Sequence, residues 1–200
     1  MLEIEVRGTL SEESFYNDLK RFSEQFGEPF RQRRMAIRIG TLNKYGINNR
    51  IKITNGIPEI VQKIGSVSSL IREELSFKIG RDIDEIYQAY LVLRNTITDP
   101  LLKRSVIMQF DNFIFKGKNF ELKFAHQTGK LDKFVFEVEA KEDNLDLEKV
   151  CKELNLNPNM QSMSEEDWIK WNADLNIDAD ELDEKYIKAL IKSYLKSTTF

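Results

Sequence analysis

Apolar and polar residues alternate strictly at the start of the chain, where Leu2, Ile4 and Val6 stand between Glu3, Glu5 and Arg7. A period of two is the period of a β-strand, so the two carboxylates and the guanidinium share one face and the aliphatics the other. The pattern returns far downstream in Phe136-Glu137-Val138-Glu139-Ala140-Lys141. Two such strands, if neighbours, place four carboxylates on a common face, and these repel unless a cation or a ring of bases offsets them. Between them the alternation predicts strands over 31–40, 49–54, 58–64, 70–79, 101–116 and 120–124, with the last strand at 134–141. Arg34, Ala36 and Arg38 oppose Met35, Ile37 and Ile39; Arg50, Lys52 and Thr54 oppose Ile51 and Ile53. Glu59, Val61 and Lys63 share a face, as do Arg72, Glu74, Ser76 and Lys78, and Glu121 and Lys123 oppose Phe120, Leu122 and Phe124. The register of the sixth strand stays open, because Lys103 and Arg104 are adjacent and only one can point each way. Asn55-Gly56 and Gly117-Lys118-Asn119 supply turns.

Helical spacing appears twice within this series. Ser11 is an N-cap followed by Glu12 and Glu13, and Phe15, Leu19, Phe22 and Phe26 form one stripe that Gly27 ends. Asp82 caps a second helix, to Thr96, with Ile83, Ile86, Tyr87, Tyr90 and Leu93 on one side and Asp99-Pro100 after it. The remainder is helical. Leu147, Val150, Cys151 and Leu154 make one stripe, and Pro158 breaks the chain. Ser164 caps a short helix whose Trp168 and Trp171 are expected to pack, and Ile187, Leu190, Ile191, Tyr194 and Leu195 line the last helix.

Eight strands, each polar on one face and aliphatic on the other, suit an α+β fold that is mainly antiparallel β. The expected form is an eight-stranded closed tunnel or barrel with a charged interior and helices packed on its apolar outside. The barrel is expected over 1–142, with 143–200 a helical extension packed on the same domain or mediating a homodimer.

Composition supports that inversion of inside and outside. Of the 200 residues, 32% are charged and only 41% hydrophobic, so much of the charge has a solvated cleft to face. The net charge of −3 gives no basic field for nucleic acid. With one cysteine there is no intrachain disulfide, and with one histidine, His126, zinc and serine triads lack support. Asp174-x-Asn176-x-Asp178 begins like a calcium loop, but Ala179 stands where its glycine is needed and Lys185 where its last glutamate is needed. No glycine-rich phosphate loop occurs, and Cys151 reads as a buried small hydrophobe. No apolar run is long enough to span a membrane, so no membrane partner is expected and the protein is expected in the cytoplasm.

Glu3-x-Glu5-x-Arg7 resembles the Glu-x-Glu-x-Lys signature of the CYTH, or triphosphate tunnel metalloenzyme, superfamily. Arg50-x-Lys52, Lys63, Arg72-x-Glu74 and Glu137-x-Glu139 follow in that family's order over roughly residues 1–142. Three positions depart from the family pattern. Arg7 replaces a lysine, keeping the charge but not the geometry. Ser76 replaces the last acid of an Arg-x-Glu-x-Glu run, and Glu121 and Lys123 occupy the region of an expected aspartate.

The resemblance implies a tunnel that takes a small molecule carrying a triphosphate, with Mg2+ or Mn2+ as cofactor. Arg7, Arg34, Arg38, Arg50, Lys52, Lys63, Arg72, Lys103 and Lys123 are then the candidates for binding phosphate oxygens. Glu3, Glu5, Glu74, Glu137 and Glu139 are the candidate metal ligands, since hard divalent ions prefer oxygen donors. Glu5, Arg7 and Arg72 are the candidate catalytic residues. The leading expected reaction is hydrolysis of inorganic tripolyphosphate or a related triphosphate. Cyclisation of ATP and non-catalytic binding of a triphosphate or polyphosphate are the alternatives.

Overall fold

A computed structural model describes residues 2–40, 47–65, 71–99, 103–142 and 144–197; the side chains of Leu2, Glu3, Gln161, Ser162, Glu165, Trp168, Ile169, Asn172 and Ala173 lie outside the described set. Strands β1 (Leu2–Leu10), β2 (Phe30–Ile39), β3 (Ile47–Thr54), β4 (Ile57–Ile64), β5 (Ile71–Lys78), β6 (Ser105–Lys116), β7 (Phe120–Thr128) and β8 (Lys133–Ala140) form one antiparallel sheet in the order β2-β3-β4-β5-β1-β8-β7-β6. A β2–β6 pairing from Phe30↔Ile114 to Ile39↔Ser105 closes it into a barrel. The register is staggered: β1 meets β5 only over Leu2–Ile4 and meets β8 over Glu5–Leu10. Such stagger tilts strands against the barrel axis and widens the interior.

The helices are α1 (Glu12–Phe26), α2 (Ile83–Asn95), α3 (Leu147–Glu153), α4 (Glu165–Leu175) and α5 (Glu184–Lys196). Ser11 accepts from the Ser14 amide at 3.1 Å and Asp82 from the amides of Asp84 and Glu85, so both expected caps form. The apolar cores lie outside the barrel. On one flank α2 and α5 bury Ile86, Tyr90, Ile187 and Ile191 against Met35, Ile37, Ile53 and Ile107. On the other, Phe15 and Phe22 of α1 and Val150 and Cys151 of α3 pack on Val6, Phe115, Phe124, Phe136 and Val138. Most strands therefore turn an aliphatic face outward and a charged face inward; on β5 the outward Ile71, Leu75 and Phe77 are exposed, and on β6 the inward residues are mostly apolar.

Two boundaries differ from expectation, and one strand is added. The sixth strand begins at Ser105 rather than 101, because Arg104 turns away to Asp178, its Nη2 2.7 Å from a carboxylate oxygen. Residues 101–102, like Leu70 of the expected fifth strand, are outside the described set. The seventh strand runs to Thr128 instead of ending at Phe124, since Ala125 and Gln127 continue its inward face. A two-residue strand, β9 (Ile177–Asp178), adds to β6 through Val106↔Asp178 and Ile107↔Ile177. It is too short to leave a periodic signal. The Asp174-x-Asn176-x-Asp178 stretch serves this edge, with Asp178 accepting from the Asp180 amide at 3.0 Å. No helix among the described residues is long and apolar enough to cross a membrane.

Candidate functional site

The inward faces enclose a cavity of about 280 Å³. Eight basic side chains line it (Arg7, Arg34, Arg38, Arg50, Lys52, Lys63, Arg72 and Lys123) together with four acidic ones, Glu74, Glu121, Glu137 and Glu139. A chain with net charge −3 thus keeps a cationic interior.

Strand register decides which charges meet. Arg7 stands opposite Glu137 on β8, and Glu137 stands opposite Lys123 on β7. Arg7 Nε lies 3.1 Å from Glu137 Oε1, and Lys123 pairs with the other oxygen. Burial opposes the charged form of Glu137, but Lys123 and then Arg7 outweigh it and hold the carboxyl well below its ordinary range. Glu5, 4% exposed, accepts from both Arg7 and Arg72. Across β4 and β5, Lys63 Nζ is 3.0 Å from Glu74, and Lys52 Nζ is 3.1 Å from Glu59 and 3.9 Å from Glu74. Burial again works against the Glu74 carboxylate, and the two lysines lower its pKa regardless.

The β2 and β3 wall is organised differently. Arg34 donates to the Thr54 hydroxyl and the Gln32 side-chain carbonyl, each at 3.2 Å, and Arg50 donates to Asn48 at 2.8 Å. Arg38 is 7% exposed, and its Nε has no hydrogen-bond partner among the described residues. Burial first, then the charges of Arg50, Arg72 and Arg7, push the Arg38 guanidinium down to about 9. A buried cation that faces a cavity and lacks acceptors is costly unless an anion arrives.

The sequence-based site is thus assembled almost whole. Arg7, Arg34, Arg38, Arg50, Lys52, Lys63, Arg72, Lys123, Glu74, Glu137 and Glu139 line one cavity, and Glu5 is buried beneath two of its arginines. Lys103 is not brought to it: it precedes β6 and lies outside the cavity lining. The Glu3 backbone pairs with Arg72, while its side chain is outside the described set. Glu121, Gln32, Asn112 and Gln127 line the cavity and were not assigned a role from sequence. For Glu121 the signal was present, because it shares a face with Lys123. Met160 and Trp171, from the helical tail, also line it. Cys151 and His126 take no part. Burial, with Glu148 adding to it, pushes the Cys151 thiol up to about 11, and His126 stacks on Phe134 at 4.6 Å.

The carboxylates have the hard oxygen donors that Mg2+ or Mn2+ require. By register Glu5 faces Glu139, and Glu139 faces Glu121, a row across β1, β8 and β7. Like charges directly opposite one another are destabilising, so this row fits a cation in donor type. As the side chains stand, however, no group of three acidic residues among those described is close enough to hold one.

No protein-family model matches the chain, and no curated protein matches it. Solved structures do. PH1012 from Pyrococcus horikoshii superposes with a TM-score of 0.58 at 18% identity, over 78% of this chain and 92% of that one. HpAC1 from Hippeastrum, an adenylyl cyclase candidate with a dominant triphosphatase activity, gives 0.57 at 15%, over 86% and 95%. An adenylate cyclase candidate from Bacillus halodurans gives 0.55 at 14%, over 78% and 91%. At such identities the likeness is one of fold: the chain shares the closed antiparallel β-barrel fold of these structures.

Proposed function

We propose that the tunnel binds the triphosphate group of a small molecule and hydrolyses its terminal phosphoanhydride bond with the help of Mg2+ or Mn2+. The observation that carries this reading is the buried Arg38, which lacks an acceptor at Nε and lies among Arg7, Arg50 and Arg72 in the tunnel cavity. A flexible polyanion with many oxygens supplies what this wall lacks, and arginine forks suit phosphate oxygens. Arg34, Arg38, Arg50, Lys52 and Lys63 bind and orient the phosphate chain. Arg7 and Arg72 direct donors to where charge develops on the transferring phosphoryl group. Water attacks the terminal phosphorus, the bridging P–O bond breaks, and orthophosphate and the shortened chain leave. Glu5 takes the proton that the water gives up once phosphate has drawn its arginines away. Glu5, Glu121 and Glu139, with Glu3 beside them on β1, would hold the divalent ion. That ion, when bound, withdraws charge from the phosphoryl oxygens.

A second reading, binding without turnover, has its own observation: Glu5 and Glu137 are each already neutralised by two cationic side chains. Orthophosphate release from tripolyphosphate and from ATP, with Mg2+, Mn2+ or a chelator, separates the two. Metal-dependent release from either compound is the expected result. Cyclic AMP from ATP without orthophosphate would replace the hydrolase by a cyclase. Tight tripolyphosphate binding with no product would leave the binding module.

A further inference from the structure

One stretch of the barrel wall is paired on a single side. β5 runs along β4 from Ile64↔Glu73 to Glu59↔Lys78. On its other side β1 meets it only from Ile4↔Ile71 to Leu2↔Glu73. From Glu74 to Lys78 that edge carries no strand among the described residues. Exposure marks the same place. Ser76 and Lys78 continue the inward phase of Arg72 and Glu74, yet Leu75, Ser76, Phe77 and Lys78 are all exposed. Leu75 is 49% and Phe77 60% exposed, and neither joins the apolar clusters beneath the helices. A strand edge that carries apolar side chains and no proline is a template for a further strand.

This edge is complementary to itself. β1 occupies it up to Glu73 and β5 ends at Lys78, so the open stretch is centred on Ser76. Laid antiparallel on the same stretch of a second copy, about a twofold axis at Ser76, it sets Leu75 opposite the partner's Phe77 and Glu74 opposite the partner's Lys78, each twice. Opposed residues of an antiparallel pair point to the same side, so the apolar pairs fall on the outer face and the ion pairs on the inner one. Neighbouring registers lose this match. Centred on Leu75, the pairing sets Glu73 against Phe77; centred on Phe77, it carries Glu74 past the strand end to Gly80. The chain turns away at Ile79 and Gly80, before a partner strand laid in the Ser76 register would run into Leu2.

We propose that this edge of β5 pairs with itself in a second copy of the chain, giving a symmetric dimer whose sheet runs β4-β5-β5-β4 across the axis. The homodimer contact then lies on the barrel wall and not on the helical tail, and it holds whatever the tunnel binds. So short an edge falls below the about 800 Å² that a standard interface buries on each partner, so the association is weak, with a dissociation constant on the order of 50 μM.

Sedimentation of the intact protein from about 5 to about 500 μM tests it, a range that spans the expected constant by tenfold on each side. The mass is expected to rise from that of one chain towards that of two, and a single-chain mass throughout overturns the proposal. Lys78→Glu sets like charges opposite each other at both ends of the pairing and is expected to weaken the dimer by about tenfold or more. Ser76→Cys reads the axis directly. Opposed Cβ atoms in an antiparallel pair lie about 5 Å apart, so oxidised glutathione should link this variant into a disulfide dimer. Val92→Cys, on the exposed side of α2, serves as the control and should stay unlinked. A dimer that survives Lys78→Glu undiminished, or that Ser76→Cys links no faster than Val92→Cys, is formed by another surface and overturns the assignment to β5.

Discussion

The two halves of the tunnel wall carry charge in different ways. On β1, β7 and β8 the carboxylates and bases stand opposite each other in register, and Glu137 is held between Arg7 and Lys123. On β2 and β3, Arg34 meets a hydroxyl and an amide, and Arg38 Nε meets nothing among the described residues. The first half carries more acid than base, Glu5, Glu121, Glu137 and Glu139 against Arg7 and Lys123, and the Glu137 pairs hold its strands together. In the second half Lys52 pairs with Glu59 and Glu74, while the buried Arg38 carries the like charges of Arg50, Arg72 and Arg7 and is the position an anion completes. Charges inside one cavity thus divide between those that serve the fold and those that wait for a ligand.

Replacing one group on each side gives effects of opposite kind. Arg38→Met is expected to weaken tripolyphosphate binding by about a hundredfold, or about 3 kcal/mol, the scale of a buried charge-assisted contact. The same substitution leaves the melting temperature unchanged or raised, because it removes a buried cation lacking an acceptor. Calorimetric titration and a thermal melt read both numbers, and a fall in both would place Arg38 with the structural half.

Glu137→Gln is expected to cost about 2 kcal/mol of stability, since it strands Arg7 and Lys123 together. The sign with pH follows from a lowered carboxylate pKa. Stability from Glu137 is fully present above its unfolded value of about 4.5 and is lost only as pH falls through its lower folded value. Acid denaturation of the Gln variant should lack that limb.

The pH dependence of binding sharpens the other half. With the Arg38 group at about 9, tripolyphosphate affinity should fall as pH rises through that value, by up to about tenfold per unit, and Arg38→Gln should abolish the step. In the unliganded protein the sign reverses. The folded form binds fewer protons at Arg38 than the unfolded chain above about 9, so this group's destabilisation eases there. The smallest effect is expected at Lys103→Ala, within twofold in binding, because Lys103 lies outside the cavity lining.

The alternation of β1 to β5 and β8 was legible because each strand has an aliphatic outer face and a charged face for the tunnel, and a period of two separates them cleanly. The sixth strand was not, since its inward residues Met108, Phe110, Asn112 and Ile114 are mostly apolar and give no contrast with its outward ones. Most of the candidate site followed from the inward faces. Which base neutralises which acid did not, because Arg7, Glu137 and Lys123 come together only through a register set across three strands. The isolation of Arg38 depends on what stands around it in three dimensions, and no local pattern encodes that. The tail's part in the cavity was missed for a related reason: a tryptophan at helical spacing looks the same whether it packs on an outer wall or lines the cavity.

The β2–β6 pairing has a consequence for the order of folding. The turn at Asn55 and Gly56, with φ of 47° and 78°, joins β3 to β4 at short range. By contrast β2 and β6 are separated by three strands and a helix along the chain. Local hairpins form fast and distant pairings form late, so β2–β5 and β6–β8 exist as open meanders before β2–β6 and the still more distant β1–β8 pairing shut the barrel. Until then the basic faces are merely wet, and no enclosed bed exists for a polyanion. A triphosphate is therefore a ligand of the shut barrel alone, and its binding is expected to slow unfolding by holding those last pairings together.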